Sequence, residues 1–293
     1  MAPPVKLTIL NSMAGSDFES ALDQHLAWGL RLLDLKDAIY GKTVDALLPA
    51  EAERAAQAIA ARGLSVDTLS TGIFYGDIEA GEAAFRARFD EKLARILDSA
   101  PLLQPKKVRL LSASSSNRAA FSNCADYIRQ QHPWVLPVYR AAIDQLHEAG
   151  FQIVIENEVH NSIFAQPQEI LDFFQALDCG DKVGFTWDIA NLWQEGTFPT
   201  LDVYAQLKPL IVMVHVKGGR DSATPGETRR WASSLAQASW PVFDLINAVI
   251  ADGVSPVICL NGSHGAQNAD YSHRPDDYYR DIRFLRQHFK GIE

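Results

Sequence analysis

The chain switches hydrophobic period again and again, and that alternation limits its fold more than any other feature. Short runs rich in apolar and β-branched residues occur at 5–12, 31–36, 64–72, 107–112, 151–156, 183–188, 211–217 and 255–260. Between them lie longer stretches with helical spacing, clearest at 51–62, 82–99, 124–149, 167–177, 241–252 and 275–290. Strands of this length alternating with helices predict βαβ units and a parallel sheet. Eight units in 293 residues average about 37 each, the scale of a (β/α)8 barrel, so the expectation is one α/β TIM-barrel domain over 1–293. Gly63, Gly150, Gly180 and Gly253 stand where helices would stop, and Ser16 and Asp17 where the first would start. The rival architecture, an open doubly wound sheet, normally carries a Gly-rich turn after an early strand. Here the first strand runs instead into Asn11-Ser12-Met13-Ala14-Gly15-Ser16, and no GxxxxGK[ST] occurs anywhere.

Composition narrows the partners. With 27 basic and 36 acidic side chains the net charge is −9, which opposes binding to a phosphate backbone, so nucleic acid is not expected as a partner. Three cysteines, Cys124, Cys179 and Cys259, are odd in number and far apart, which argues against a disulfide framework and for a reducing compartment. The opening MAPPVKLTIL is too short and too soon polar for a secretory signal or a membrane span. The expectation is a cytoplasmic protein with no membrane partner.

In a closed barrel the chemistry gathers where the strands end. A charged side chain at the end of a buried apolar run needs a partner, a metal or a cavity. Glu156 ends the fifth run after Ile153-Val154-Ile155, Asp188 ends the sixth after Phe185-Thr186-Trp187, and His215 lies in the seventh between Val214 and Val216. Taken singly, each has an ordinary explanation: a helix cap, a salt bridge, a satisfied core histidine. Together, on three successive strands about 5 Å apart, their ends converge, and two carboxylates with an imidazole suit Mn²⁺ or Mg²⁺, with Zn²⁺ as the further option.

The segments IVIENE (153–158), VGFTWDIAN (183–191) and VHVKGG (214–219), in this order and roughly one βα unit apart, resemble the xylose-isomerase-like barrels. These are sugar isomerases and epimerases, with endonuclease IV as a distant relative. The resemblance implies that Glu156, Asp188 and His215 bind a divalent metal. It also exposes two departures. Relatives usually end strand eight with a metal-binding Glu, whereas residues 256–264 read PVICLNGSH without a carboxylate. Asn261 is the stand-in expected there as a weak oxygen ligand, and His264 can reach in from the loop. Asn191 stands where many relatives carry a His that contacts metal or substrate.

Losing the strand-eight Glu removes one of the two bases that an epimerase places across its substrate. A single base, Glu156 or His264, would then move a proton beside a metal-polarised carbonyl, as in an aldose–ketose isomerisation or a β-elimination. The first reading is therefore a metal-dependent isomerase or epimerase acting on a small polar sugar-like substrate. A lyase or dehydratase on the same scaffold is the alternative, and a non-catalytic sugar-binding barrel the third. Lys36, His160, Asn191, Lys217 and Arg220 are the expected substrate-binding residues, with Ser112 and Ser114 beside them and Phe74, Trp187 and Trp193 as candidate walls. Segment 264–280 reads as either a lid or a solvated loop, and His25, His147 and His288 as exposed. Relatives often form dimers or tetramers, which makes a homo-oligomer a further expectation.

Overall fold

The computed structural model describes residues 4–221, 233–262 and 274–293. Among them eight strands run parallel: β1 (Lys6–Ile9), β2 (Leu32–Leu35), β3 (Ser65–Ser70), β4 (Lys107–Leu111), β5 (Gln152–Glu156), β6 (Val183–Asp188), β7 (Ile211–Val216) and β8 (Val257–Leu260). Their order around the sheet is β1-β8-β7-β6-β5-β4-β3-β2, and a parallel bridge between Leu10 and Asp34 links the two ends. This is the expected TIM barrel.

Among the described residues eleven α-helices surround it: α1 (Asn11–Ala14), α2 (Phe18–Ala27), α3 (Pro49–Ala61), α4 (Glu82–Leu103), α5 (Cys124–Gln131), α6 (Val135–Glu148), α7 (Pro167–Leu177), α8 (Ile189–Gln194), α9 (Leu201–Leu207), α10 (Val242–Asp252) and α11 (Pro275–His288). Asp17 caps α2 as its position predicts, accepting from the Ser20 N–H at 2.9 Å. Three helices, α3, α7 and α11, begin on a proline, whose missing N–H costs nothing in a first turn. No helix among the described residues is long and apolar enough to cross a membrane.

Several boundaries differ from expectation. The first strand stops at Ile9, because α1 begins at Asn11. The stretch 124–149 is two helices, broken where Pro133 disfavours helical geometry at His132. Asp178, rather than Gly180, takes the left-handed turn that ends α7. The short α8 and α9 escaped the periodicity reading, being only 6 and 7 residues long. Of segment 264–280, residues 275–280 form the first turns of α11, while 264–273 lie outside the described residues. Most of the polar stretch expected after β7, residues 222–232, lies outside them as well.

The core has two shells, one inside the barrel and one between barrel and helices. Phe74, expected to wall a pocket, belongs to the outer shell: it meets Tyr139 at 4.4 Å and Phe85 at 5.6 Å between ring centroids. Trp187 is also packing, since its fully buried indole stacks on Tyr204 of α9. His25 is buried rather than exposed. Its Nδ1 lies 2.8 Å from the Ala21 carbonyl, and burial holds its pKa below the ordinary imidazole value. The helical pattern of α2 turns His25 inward with Phe18, Ala21 and Leu22, which polar neighbours in sequence hide. His147 and His288 are exposed as expected.

Two register shifts bear on the inner shell. Between β6 and β7 the pairing skips a residue after Phe185, and beyond the skip Asp188 stands opposite His215. Gly184 lies against the extra residue, Val212, where a Cβ would collide with the valine side chain. A second shift falls between β2 and β3 at Leu33/Asp34. Such irregularities re-aim side chains.

Candidate functional site

Barrel strands alternate their side chains between the two shells, so a polar residue that points inward meets those of its neighbours near the axis. Glu156, Asp188 and His215 do so at the C-terminal ends of β5, β6 and β7. One ligand atom from each lies within 4.8 Å of the other two, and all three residues are fully buried.

Asp188 fills two of the roles considered for it. Its Oδ1 accepts the backbone N–H groups of Ala190 and Asn191 at 3.1 and 2.9 Å, capping α8. Its Oδ2 faces inward, 2.9 Å from Lys217 Nζ and 2.9 Å from Asn261 Nδ2. Lys217 Nζ also donates to Asn191 Oδ1 at 2.8 Å, so both of these predicted residues stand at the site. Asn157 Oδ1 and Nδ2 clasp the backbone N–H and C=O of Asp188, fixing the end of β6 against β5.

Glu156 is held from two sides. Its Oε1 lies 2.9 Å from His215 Nδ1, and its Oε2 accepts from Arg109 Nη1 at 2.5 Å. Arg109 reaches in from β4, fully buried, and its Nη2 donates to the Thr71 carbonyl. Burial alone would raise the Glu156 carboxyl, but the charges of His215 and Arg109 outweigh it and hold it well below the usual carboxylate range. Burial likewise opposes a charged His215 ring, yet Glu156 and Asp34 push its pKa up to about 9. Asp188 and Glu158 move the other way, raised first by burial and further by the charge of Glu156. Glu158 stands half-buried two residues past Glu156, and its N–H donates to Ser112 Oγ at 3.0 Å.

The remaining predicted residues divide. Asn261 ends β8 beside Asp188 and His215. Lys36 is half-buried after β2, its backbone N–H donating to Asn11 Oδ1. His160 and Arg220 are exposed, His160 in a left-handed conformation. Trp193 is buried and meets Phe198 edge-on. His264 lies outside the described residues. Sequence reasoning passed over Arg109, Asp34 and Glu158. The signal was present for the first two, a charge inside an apolar run (KVRLL, LLDLK), which is the rule that found Glu156.

The family model for xylose isomerase-like TIM barrels matches residues 28–288. The chain belongs to that family. No curated protein sequence matches it. Among solved xylose isomerase-like barrels, a 3-keto-D-glucoside 4-epimerase from E. coli is 16% identical, with TM-score 0.68 over 97% of this chain and 99% of that one. A probable 3-DHS dehydratase from Bacillus anthracis is 14% identical, with TM-score 0.68 over 96% and 98%. A xylose isomerase-like barrel from Mycobacterium smegmatis in complex with magnesium is 16% identical, with TM-score 0.67 over 98% and 96%. At these identities the likeness is one of fold.

The donor set can accept the divalent ion that the xylose isomerase-like family implies. Two carboxylates and an imidazole converge, and Asn261 Oδ1 beside them is buried without a hydrogen-bond partner among the described residues. Arg109 and Lys217 neutralise the two carboxylates, so an ion held by Asp188 Oδ2 would compete with the Lys217 ammonium.

Proposed function

We propose that this xylose isomerase-like chain is a divalent-metal-dependent isomerase or epimerase of a sugar or sugar derivative in the cytoplasm, moving a proton on the carbon next to a carbonyl. The observation that carries the reading is the convergence of Glu156, Asp188 and His215 within 4.8 Å at the ends of successive strands. These three residues would hold the ion, Mn²⁺ or Mg²⁺ by donor type with Zn²⁺ as the further option, and Asn261 would add an oxygen. Held there, such an ion would supply polarisation of the carbonyl, which would acidify the neighbouring C–H.

The chain's own groups divide the remaining work. Glu156 suits a ligand better than a base, because its pairing with Arg109 and His215 strips its carboxylate of proton affinity. Glu158, two residues past Glu156 with a carboxyl pKa raised by burial, is proposed to take up and return the proton, and His264 is the other candidate for that role. Lys217 and Asn191 orient substrate hydroxyls, while Lys36, His160 and Arg220 are proposed for the rim.

Asn261 gives the lyase reading its support. A carboxamide has no useful proton affinity, so β8 supplies no second base, and one-sided proton transfer serves an isomerisation or a β-elimination equally well. The test is a panel of aldoses and ketoses in D₂O with Mn²⁺. Solvent deuterium next to the carbonyl of recovered sugar, lost on chelation, is the expected result. Release of water with an unsaturated product would assign the lyase. Sugar binding without exchange or product would leave a binding barrel.

A further inference from the structure

A buried imidazole can serve a metal through one nitrogen only if the proton on the other has somewhere to go. The His215 ring is strung between two carboxylates: Nδ1 lies 2.9 Å from Glu156 Oε1, and Nε2 lies 3.5 Å from Asp34 Oδ2. Nδ1 faces Glu156 and Asn261, on the side of the proposed ion. Nε2, on the other side of the ring, faces Asp34 of β2, and Cys259 of β8 clusters with these two residues.

Asp34 is fully buried, and among the described residues neither of its oxygens has a partner at ordinary hydrogen-bond geometry, the His215 ring and the Cys259 thiol being the donors beside it. Nε2 of His215 is buried without one too. Two unsatisfied groups of complementary chemistry therefore face each other in a dry interior, where leaving either alone is costly. Their separation exceeds an ordinary N–H···O bond by about 0.5 Å, a gap that a small ring movement closes. The register shift at Leu33/Asp34 is the backbone feature beside this carboxylate.

We infer that Asp34 is a positioning residue: it accepts the Nε2–H of His215, fixes that tautomer and turns the Nδ1 lone pair towards the cation. The inference rests on the metal reading given above. Its role is that of the carboxylate behind a metal-binding histidine, whose loss typically weakens metal affinity by about 10–100-fold.

Mn²⁺ titration of the full chain tests this with wild type, Asp34→Asn and Glu156→Gln. The expected result is Mn²⁺ affinity about 10–100-fold weaker in Asp34→Asn and weaker still in Glu156→Gln. Asp34→Asn binding like wild type while Glu156→Gln has lost the ion would overturn the role of Asp34 and leave the metal reading standing. A wild type that takes no Mn²⁺ would overturn both. Because Asp34→Asn could fail to fold, ¹⁵N-histidine NMR of the wild type loaded with Zn²⁺ gives an independent readout. It should show His215 with its proton on Nε2, and a proton on Nδ1 would contradict the inference. So would a Co²⁺ complex whose near-ultraviolet thiolate band disappears in Cys259→Ser, because the ion would then sit in the Asp34–His215–Cys259 group instead.

Discussion

Glu156→Gln should bind Mn²⁺ more than about 100-fold more weakly than wild type, beyond the range seen when only a supporting group is lost, and should lose metal-dependent deuterium exchange. The carboxamide keeps the shape of the side chain but gives up the charge that attracts the ion. It also leaves Arg109 and His215 without their shared counter-charge in a fully buried setting. Some loss of stability must therefore accompany the loss of function, and Asp188→Asn, which strands Lys217 instead of Arg109, removes a ligand through a different ion pair. Asp188 pairs with Lys217 rather than Arg109, so this variant leaves the Arg109–Glu156 contact in place while removing a ligand. Metal binding should fall in both variants, as followed by titration with Mn²⁺. Full activity in a folded Glu156→Gln protein would refute the assignment.

The second large effect is on stability. Arg109→Met should cost about 3–5 kcal/mol in the metal-free protein, the usual penalty for leaving a buried charge without its partner. Arg109 is 2% exposed and its guanidinium also donates to the Thr71 carbonyl at 3.0 Å, so its removal leaves an acceptor just past β3 without its donor as well. Urea unfolding with an unchanged slope would report the loss as a shift of midpoint. The double variant Arg109→Met/Glu156→Gln should recover part of it, because neither charge then remains stranded. A loss under about 1 kcal/mol, the scale of an exposed pair, would show that Arg109 does not balance Glu156.

How much of this was legible in advance depends on the kind of signal. The barrel was readable because each strand has two buried faces and so shows as a continuous apolar run, with β8 (VICL) and β7 (IVMVHV) the plainest. Glu156, Asp188 and His215 were readable because polarity at a strand end breaks such a run. Arg109 and Asp34 break their runs in the middle, where a charge is easily taken for a strand turned to solvent. Only the closed barrel shows that KVRLL and LLDL are wholly buried, so that Arg109 and Asp34 must point at other charges. Phe74 and Trp187 failed for the opposite reason: closeness to a strand end does not say which shell a ring enters, and both went to the helix side. His25 shows the same limit on a helix, since half a turn of rotation separates a solvated ring from a buried one.

The central claim is that side chains from three neighbouring strands share one cation. Anomalous diffraction from crystals grown with Mn²⁺ tests it most directly. The account predicts a single strong peak at bonding distance from Glu156, Asp188 and His215 Nδ1, with the Lys217 ammonium moved off Asp188. A peak elsewhere, or none while Lys217 stays bonded to Asp188, would contradict it.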